Sequence, residues 1–387
     1  MLRPVINVSS LLGVRESSSD ALRYGRNRPG EITPSSASDR RPVVVWSVTR
    51  ACNLACRHCY ATAKRRPGRD ELTGAEARDL LDDLSAYGVP AVLVSGGEPL
   101  VRADLPDLIA YGVERGLRFT LSTNGTLIDT AMARVLAGVG VVYVGVSLDG
   151  PKQLHDRLRC QPGAWCDSVA GLHNLGGAGV RRGVRFTVTP DTIAGLDDVL
   201  DLVVSEGIER FCMYHLVPSG RGRSLVDVSP AERKRALDRV FCFAEANPQV
   251  EVLTVDNPSD GAALARWLEA RDRDRAERCR EMLRWNTGAR GGPGVGLANV
   301  DERGDVHPDQ FSRHRTVGNV RVRPFSEIWS DPGDPYLWQL RSARRPLAER
   351  CTACPDVELC GGGMRSRAEL AGGGPWGFDP SCSLVTR

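Results

Sequence analysis

The chain has 387 residues, of which 41% are hydrophobic, and its formal net charge at pH 7 is only +3. This length and apolar content suit one large domain or two moderate domains with a buried core. The small net charge gives no support for a nucleic-acid partner. Only three of the 51 basic residues are lysine, so clusters of arginine reflect the general composition and carry little functional weight.

No stretch near the N-terminus resembles a signal peptide, and no apolar run approaches the roughly 18 residues of a membrane-spanning helix. We therefore expect a cytoplasmic protein that has no membrane partner. The chain contains 12 cysteines. In a reducing compartment, this many cysteines favour metal or redox chemistry over disulfides.

Residues 1–40 are rich in Ser, Arg, Gly and Pro, which predicts a loosely packed N-terminal extension. From residue 41 onwards, short apolar runs alternate with amphipathic helical patterns, and the first helix begins with a capping box from Thr73 to Glu76. This alternation predicts an α/β fold with a parallel sheet and right-handed crossovers over residues 41–228. The six predicted strands are Val43–Trp46, Ala91–Ser95, Phe119–Thr123, Val141–Ser147, Val184–Thr189 and Phe211–Leu216.

Three cysteines follow the first predicted strand with the spacing Cys52-x-x-x-Cys56-x-x-Cys59. Three thiolates at this spacing can hold three irons of a [4Fe–4S] cube and leave the fourth iron without a protein ligand. An open coordination position is a reaction site, as it is in catalytic zinc sites. A structural zinc site that uses His58 as its fourth ligand is the alternative, and the sequence downstream argues against it.

The segment Ser95-Gly96-Gly97-Glu98-Pro99 follows the second predicted strand. Its two glycines let the backbone approach a ligand closely. Its carbonyl groups and the Glu98 carboxylate can accept hydrogen bonds from a cation. We therefore predict that Gly96, Gly97, Glu98 and Pro99 bind a cofactor that carries an ammonium group.

The cysteine motif and the glycine segment together resemble those of radical S-adenosylmethionine (SAM) enzymes, and the predicted strands are similar to the open (β/α)6 partial TIM barrel of that family. The resemblance implies that the three cysteines hold a [4Fe–4S] cluster whose open iron binds SAM. It also implies that electron transfer from the cluster yields a 5′-deoxyadenosyl radical. An electron carrier without catalysis needs no SAM loop, which makes that class of protein the weaker interpretation.

Polar residues recur at the ends of the later strands, where barrels of this kind place their chemistry. Each one alone is most simply a turn or cap residue, but their recurrence favours a ligand site. We predict that most of them bind the cofactor and that His215 acts as an acid or a ligand, with a structural role for His215 equally open. The predicted cofactor-binding residues in this group are Asn124, Ser147, Asp149, Arg159 and Arg185.

Residues 229–293 are predicted to form a helical linker, and residues 294–387 a C-terminal domain that begins with a hairpin. The spacing Cys351-x-x-Cys354-x5-Cys360, with the more distant Cys382, supplies four thiolates. These fit an auxiliary [4Fe–4S] cluster, with tetrathiolate zinc as the alternative. Five further cysteines lack ligand spacing and are predicted to be small buried hydrophobes, two of them near the site: Cys160, Cys166, Cys212, Cys242 and Cys279.

The C-terminal region resembles the SPASM/twitch extension of radical SAM enzymes, shortened to one auxiliary cluster. Segments such as Asp20 to Gly25, Leu253 to Asn257 and Val306 to Phe311 are similar to the tetrapyrrole-modifying branch of the family. That branch includes the 12,18-didecarboxysiroheme deacetylases of siroheme-dependent haem biosynthesis and the related enzymes of haem d1 biosynthesis.

This resemblance implies that the radical attacks an acetate side chain of an iron-tetrapyrrole, that carboxylate is removed, and that the product is of the iron-coproporphyrin III type. The implied partners are the iron-tetrapyrrole and an electron donor such as flavodoxin or ferredoxin. We predict that His307 and His314 contact the central iron or a side-chain carboxylate. Ser312 and Arg315 stand where the branch has aromatic residues, which leaves a changed substrate open.

Two other functions stay open at this point. SPASM proteins commonly modify peptides, which is the first alternative. The second is a diverged radical SAM enzyme that acts on a small specialised metabolite. Peptide-modifying relatives often carry a leader-binding domain at the N-terminus. Only about 40 residues precede the first predicted strand, which is short for such a domain.

Overall fold

The computed structural model describes residues 5–17, 41–285, 292–331, 333–342 and 345–384. The segment Asp20 to Gly25 lies outside the described residues. The strands are β1 (Val5–Asn7), β2 (Val43–Ser47), β3 (Val92–Ser95), β4 (Phe119–Thr123), β5 (Tyr143–Ser147), β6 (Arg182–Val188), β7 (Arg210–His215), β8 (Glu251–Val255), β9 (Leu297–Val300), β10 (Asp305–His307) and β11 (Gly318–Asn319).

Helices connect most of these strands. The α-helices are α1 (Val8–Leu11), α2 (Gly74–Tyr87), α3 (Leu105–Glu114), α4 (Thr130–Gly138), α5 (Lys152–Arg159), α6 (Ala164–Gly177), α7 (Leu196–Ser205), α8 (Pro230–Ala246), α9 (Ser259–Glu269), α10 (Arg273–Trp285), α11 (Phe325–Ser330), α12 (Pro335–Arg341), α13 (Glu349–Thr352), α14 (Val357–Cys360) and α15 (Arg365–Ala368). Short 3₁₀ turns lie at Pro99–Val101, Ile193–Gly195 and Gly220–Ser224, and a π turn lies at Glu369–Gly373. No described helix is long and apolar enough to cross a bilayer.

All of these strands join in one sheet with the order β1-β8-β7-β6-β5-β4-β3-β2-β9-β10-β11. Strands β2 to β7 are neighbours and parallel, as the register of Val44 opposite Val92 and of Val184 opposite Phe211 illustrates. The six predicted strands and the (β/α)6 partial barrel are therefore confirmed. The predicted capping box is also present, because Thr73 accepts from the Glu76 amide while Glu76 accepts from the Thr73 amide.

Beyond β7, the structure corrects two expectations. The segment 229–293, expected to be helical, contains β8, which pairs in parallel with β7. Residues 1–40 were expected to pack loosely, yet β1 pairs antiparallel with β8 and Asn7 is completely buried. Both corrections have one cause, since each short strand is stabilised by a partner that is distant in the chain.

On the other edge of the sheet, β9 pairs in parallel with β2 and then forms the predicted hairpin with β10. The C-terminal region therefore shares backbone hydrogen bonds with the barrel. Because the two regions are parts of one sheet, the cysteines near the C-terminus have a fixed position relative to the barrel.

Alternate residues of the barrel strands face two environments, as the two-residue period of a strand requires. In β2, Val44 and Trp46 pack in the hydrophobic core beneath the helices. Val43 and Val45 instead line a cavity inside the barrel, with about 1320 Å³ of empty space. The barrel interior therefore contains open space. The end of the barrel formed by the C-terminal ends of the strands is available for a functional site.

Candidate active site

The thiols of Cys52, Cys56 and Cys59 line one cavity at the C-terminal ends of the barrel strands, with about 1110 Å³ of empty space. The Leu54 amide donates a hydrogen bond to Cys52 Sγ at 3.3 Å. Burial raises the pKa of Cys52 to about 12, so a metal is needed to hold this thiol as a thiolate. Among the described residues no fourth thiol lines the cavity, and this donor set fits a cluster with one open iron.

Two arginines hold the cysteine loop in place. The Nε atom of Arg221 donates to the Cys56 carbonyl at 2.8 Å, and its Nη1 atom donates to the Ala63 carbonyl at 3.0 Å. Arg159 donates through Nη1 to Cys56 Sγ at 3.6 Å. Sequence reasoning assigned no role to Arg221, although the preceding Gly220 is a usable signal. A Cβ atom at Gly220 would lie 2.4 Å from the Tyr60 carbonyl oxygen.

The glycines after β3 have a structural requirement that the sequence did not show. A Cβ atom would lie 2.5 Å from the Thr49 carbonyl oxygen at Gly96 and 2.2 Å from the Ala51 carbonyl oxygen at Gly97. Gly97 donates its amide to Thr49, and Glu98 donates its amide to Ala51. The close approach that requires glycine is therefore to the cysteine loop itself. Gly96 and Gly97 still line the cavity.

Glu98 is predicted to bind the cofactor, and in the structure its carboxylate accepts hydrogen bonds from the protein itself. Its side chain is completely buried and accepts hydrogen bonds from Thr123 Oγ1 at 2.7 Å, from the Asn124 amide at 2.8 Å and from the Leu100 amide at 3.2 Å. Burial raises the pKa of this carboxyl. Glu98 therefore fastens the loop to the end of β4, and Pro99 begins the short 3₁₀ turn that follows.

Asp149 also lies behind the cavity wall. It is completely buried, pairs with Arg159 and accepts from the Thr187 amide at 2.9 Å. His58 Nε2 lies 3.7 Å from the same carboxylate. Burial is the largest single influence on Asp149 and opposes its ionisation, but Arg159, His58, His155 and the Thr187 amide together outweigh burial and lower the pKa. Asp149 thus orients Arg159 and His58, both of which line the cavity.

Three other predicted cofactor residues reach the cavity: Asn124, Ser147 and Arg185. Asn124 donates through Nδ2 to Asn53 Oδ1 at 2.8 Å, which ties the end of β4 to the cysteine loop. Arg185 donates to the hydroxyl of Ser122 and lies 4.5 Å from the ring centroid of Tyr214. No carboxylate of the described residues forms an ion pair with Arg185, so its charge is available to a ligand.

His215 lines the cavity as predicted, and the structure adds a partner. His215 Nε2 lies 2.7 Å from Asp260 Oδ2, and both side chains have no solvent exposure. Ser383 donates to the other oxygen of Asp260 at 2.7 Å. Nδ1 of His215 has no hydrogen-bond partner among the described residues. The ring is therefore fixed by Asp260.

The two histidines predicted to contact substrate lie away from this cavity. His307 is completely buried, and its Nδ1 atom lies 3.0 Å from the Arg315 carbonyl oxygen. His314 Nε2 lies 3.1 Å from Glu369. Neither residue lines the cavity, because the β10 hairpin turns them into the C-terminal region. The structure gives both side chains protein partners, and their contact with the substrate stays a prediction.

The same holds for the two positions that depart from the family pattern. Ser312 is buried and does not line the cavity. Its amide donates to Asp309 Oδ1 at 2.8 Å. Arg315 pairs with Glu369 and stacks over Tyr336. Aromatic residues that do line the cavity were missed by sequence reasoning: Tyr60, Tyr214 and Phe311.

Four cysteines near the C-terminus line a second cavity, with about 840 Å³ of empty space: Cys351, Cys354, Cys360 and Cys382. Burial raises the pKa of Cys382 to about 11. Burial also raises the pKa of Cys351, and the neighbouring thiols raise it further. Four thiols around one cavity supply as many ligands as one iron–sulfur cube requires. The predicted ligands are thus brought together.

The other five cysteines divide into two groups. Cys212 and Cys279 are buried, as predicted. The prediction was wrong for Cys160, Cys166 and Cys242, which are exposed. Cys160 ends α5 in a left-handed conformation with φ of 55° and does not line the cavity.

The sequence model of the Radical SAM superfamily matches residues 46–203. The chain is also 44% identical to the Fe-coproporphyrin III synthase of Methanosarcina barkeri over 394 residues, an alignment that covers 98% of each protein. The chain belongs to the radical SAM superfamily. A second relative is the pre-heme d1 synthase of Dinoroseobacter shibae, with 38% identity over 89% of this chain and 87% of the relative.

A solved structure supports the same fold for this radical SAM enzyme. SuiB from Streptococcus suis, bound to S-adenosylmethionine, superposes with a TM-score of 0.69 at 18% identity, covering 89% of this chain and 78% of SuiB. The architecture is therefore a radical SAM partial barrel with a SPASM/twitch-type extension. The cofactors of this class are a [4Fe–4S] cluster, SAM and an auxiliary [4Fe–4S] cluster, and the two thiol sites fit them.

Proposed function

We propose that this radical SAM enzyme removes carboxyl-bearing side chains from an iron-tetrapyrrole in haem formation. Cys52, Cys56 and Cys59 would hold the SAM-binding cluster. When bound, the cluster and SAM supply a 5′-deoxyadenosyl radical that takes a hydrogen atom from the substrate. The two relatives, by their names, produce an iron porphyrin and a haem d1 precursor, which supports a substrate of this class.

The observation that carries the proposal is the position of Arg185. Its guanidinium is partly buried, lines the same cavity as the three thiols and has no carboxylate partner among the described residues. A partly buried cation without an anion favours a ligand that brings a carboxylate. The sequence predicts that Arg185 binds the cofactor; we propose instead that it pairs with a carboxylate side chain of the substrate.

The walls around Arg185 suit a flat aromatic ligand. Tyr60 and Phe311 meet edge to face, with ring centroids 5.3 Å apart, and Tyr214 lies beside Arg185. Aromatic side chains stack on conjugated rings with centroid separations in this range. A macrocycle that bears carboxylates therefore matches both the apolar and the charged parts of the cavity.

The chain's other polar residues keep the cysteine loop and its surroundings in place. Arg159 donates to Cys56 and is itself oriented by Asp149. Asn124, Ser147 and the Gly96–Gly97 backbone would contact SAM. His215, fixed by Asp260, presents Nδ1 as a hydrogen-bonding group for the substrate.

We further propose that Cys351, Cys354, Cys360 and Cys382 hold the auxiliary cluster in the 294–387 region, which passes electrons. A cytoplasmic flavodoxin or ferredoxin would be the electron donor. An auxiliary site saturated by four thiolates has no open iron for SAM. Its role is therefore electron transfer rather than SAM cleavage.

The proposed function is tested with anaerobically reconstituted protein, a reductant, SAM and 12,18-didecarboxysiroheme. We expect 5′-deoxyadenosine to form together with a tetrapyrrole product, whose mass shows whether carbon dioxide or a whole acetate group leaves. A Cys56→Ala variant should form neither product. SAM cleavage by the wild-type protein without any change in the tetrapyrrole would contradict the proposal and favour a peptide or a small metabolite as substrate.

A further inference from the structure

Directly after β8 the chain turns at Asp256, whose side chain lines the active-site cavity. Its φ angle is 66°, in the left-handed region that few non-glycine residues adopt. Residues held in this region cluster at functional sites, because the surrounding structure must impose the conformation. Asp256 belongs to none of the motifs used above for the cofactors.

The C-terminal region imposes this turn. Arg367 donates through Nη1 to the Asp256 carbonyl at 2.7 Å. Arg367 is fixed in turn by two hydrogen bonds to Asp379, at 2.7 and 2.9 Å. The next residue, Asn257, donates to the Ser381 carbonyl at 2.8 Å. Two independent contacts therefore aim the Asp256 carboxyl into the cavity.

The carboxyl itself has no hydrogen-bond donor among the described residues, although Asp256 is only 3% exposed. The charged groups that act on it are Arg367, Arg185 and Asp309, and the Tyr214 hydroxyl lies near it as well. Burial raises the pKa of Asp256 to about 7, against the opposing charges of the two arginines. Near neutral pH this carboxyl is therefore partly protonated.

Arg185 and Asp256 line the same part of the cavity but do not form an ion pair with each other. A carboxylate placed between them would accept from the guanidinium on one side. On the other side it would accept a charge-assisted hydrogen bond from a protonated carboxyl, whereas an ionised Asp256 would repel it. The pair thus forms a two-sided receptor for one carboxylate.

We propose that Asp256, in its protonated form, donates a hydrogen bond to a substrate carboxylate that also pairs with Arg185. The proposal rests on the proposed function, because it requires a substrate with carboxylate side chains. It makes Asp256 a substrate-binding residue that determines the orientation of the macrocycle. Arg367 then contributes to substrate binding by holding the Asp256 turn, without itself contacting the substrate.

This role gives binding a defined pH dependence. Affinity should be highest below pH 7, where Asp256 keeps its proton, and should weaken by up to about tenfold per pH unit above it. In Asp256→Asn the side-chain amide still donates and does not titrate. This variant should therefore bind as tightly at high pH as at low pH, while Asp256→Ala should bind weakly throughout.

The test measures dissociation constants of the reconstituted protein for iron coproporphyrin III, by absorption titration between about pH 6 and pH 9. The tetramethyl ester of the same compound is the matched probe, since it lacks carboxylates and should show little difference between wild-type protein and Asp256→Asn. A pH profile of Asp256→Asn that coincides with the wild-type profile overturns the role of Asp256 and leaves the proposed function standing. Failure of the wild-type protein to bind at any pH overturns both.

A stability measurement guards against a misfolded variant. Because the folded pKa of Asp256 is raised, folding loses stability as pH rises from the ordinary range of an aspartate towards about 7. Asp256→Asn removes this loss, so its melting temperature should exceed that of the wild-type protein more at pH 8 than at pH 5. An equal difference at both pH values would contradict the buried, protonated state.

Discussion

The two thiol sites differ in the number of cysteines that line each cavity, and we infer different roles for them from that number. The N-terminal site has three cysteines together with Arg159, Arg185 and His215. The C-terminal site has four cysteines. A three-thiol site leaves one iron open for a ligand, whereas a four-thiol site is saturated. Thiol number therefore separates the proposed reactive cluster from the proposed relay.

A buried ion pair stands next to each site, and the two pairs also differ. Asp149 is bonded to Arg159, which itself contacts a thiol of the N-terminal site. Asp379 holds Arg367, which contacts the Asp256 carbonyl in the other cavity. Asp379 lines the C-terminal cavity. The second pair thus links the two cavities, while the first belongs to one.

The largest expected effect comes from removing one thiol at each site. Cys56→Ala should abolish 5′-deoxyadenosine formation, because two thiols do not retain an open cluster. Cys360→Ala should leave SAM cleavage measurable while blocking turnover of the tetrapyrrole. Iron analysis should fall from about eight to about four atoms per chain in each variant.

Two results would break this comparison. Wild-type protein that holds stoichiometric zinc with about four irons would show that the C-terminal site is a structural zinc site. Loss of SAM cleavage in Cys360→Ala with the N-terminal cluster intact would show that the two sites do not have separate roles. Cys242→Ala, at an exposed cysteine, is the matched control and should retain all iron.

The next effect in size concerns the two buried ion pairs. Asp149→Asn and Asp379→Asn should each lower the free energy of unfolding by about 3–5 kcal/mol, because each leaves an arginine buried without its anion. Anaerobic denaturant titrations measure this loss. Among folded molecules, the Asp149→Asn variant should also cleave SAM more slowly than the wild-type protein. The Asp379→Asn variant should cleave SAM at the wild-type rate.

An exposed pair provides the control for this measurement. Lys234 and Asp238 lie on the surface of α8, with side-chain exposures of 67% and 38%. Asp238→Asn should change stability by less than about 1 kcal/mol. Equal losses in all three variants would mean that burial does not distinguish the pairs.

Much of the fold could be predicted because the barrel strands and helices are local patterns of adequate length. The β8 strand was missed because Glu251–Val255 is a five-residue run between two helices and its pairing partners are not adjacent in the sequence. Pairing between Val5 and Val255 leaves no local signature, since the partners are far apart in the sequence. Non-local pairing is the part of the fold that a single sequence does not display.

In the site, the types of functional residue could be predicted from the sequence. Whether each side chain lines the cavity or lies behind its wall could not. The cysteines reach the cavity as predicted, whereas Glu98 and Asp149 are polar residues at strand ends that packing places behind the wall. Asp256 lies in the Leu253 to Asn257 segment, which gave it no role, and its orientation depends on an arginine 111 residues away. Whether a carboxylate faces a ligand or a backbone amide is decided by tertiary contacts.

The smallest predicted effect sharpens this distinction at Glu98. Glu98→Gln keeps one oxygen for Thr123 and Leu100 but turns an amide NH2 group towards the Asn124 amide, which loses its acceptor. A buried donor without an acceptor costs about 1–3 kcal/mol. The melting temperature should fall, and the dissociation constant for SAM, measured on the folded reconstituted protein, should stay close to that of the wild-type protein.

The opposite outcome would restore direct cofactor binding by Glu98. If its carboxylate contacts the ammonium group of SAM, Glu98→Gln should weaken SAM binding strongly, because a charge-assisted hydrogen bond becomes a neutral one. The structure favours the first outcome, because Thr123, Asn124 and Leu100 already occupy both oxygens of a side chain with no exposed surface.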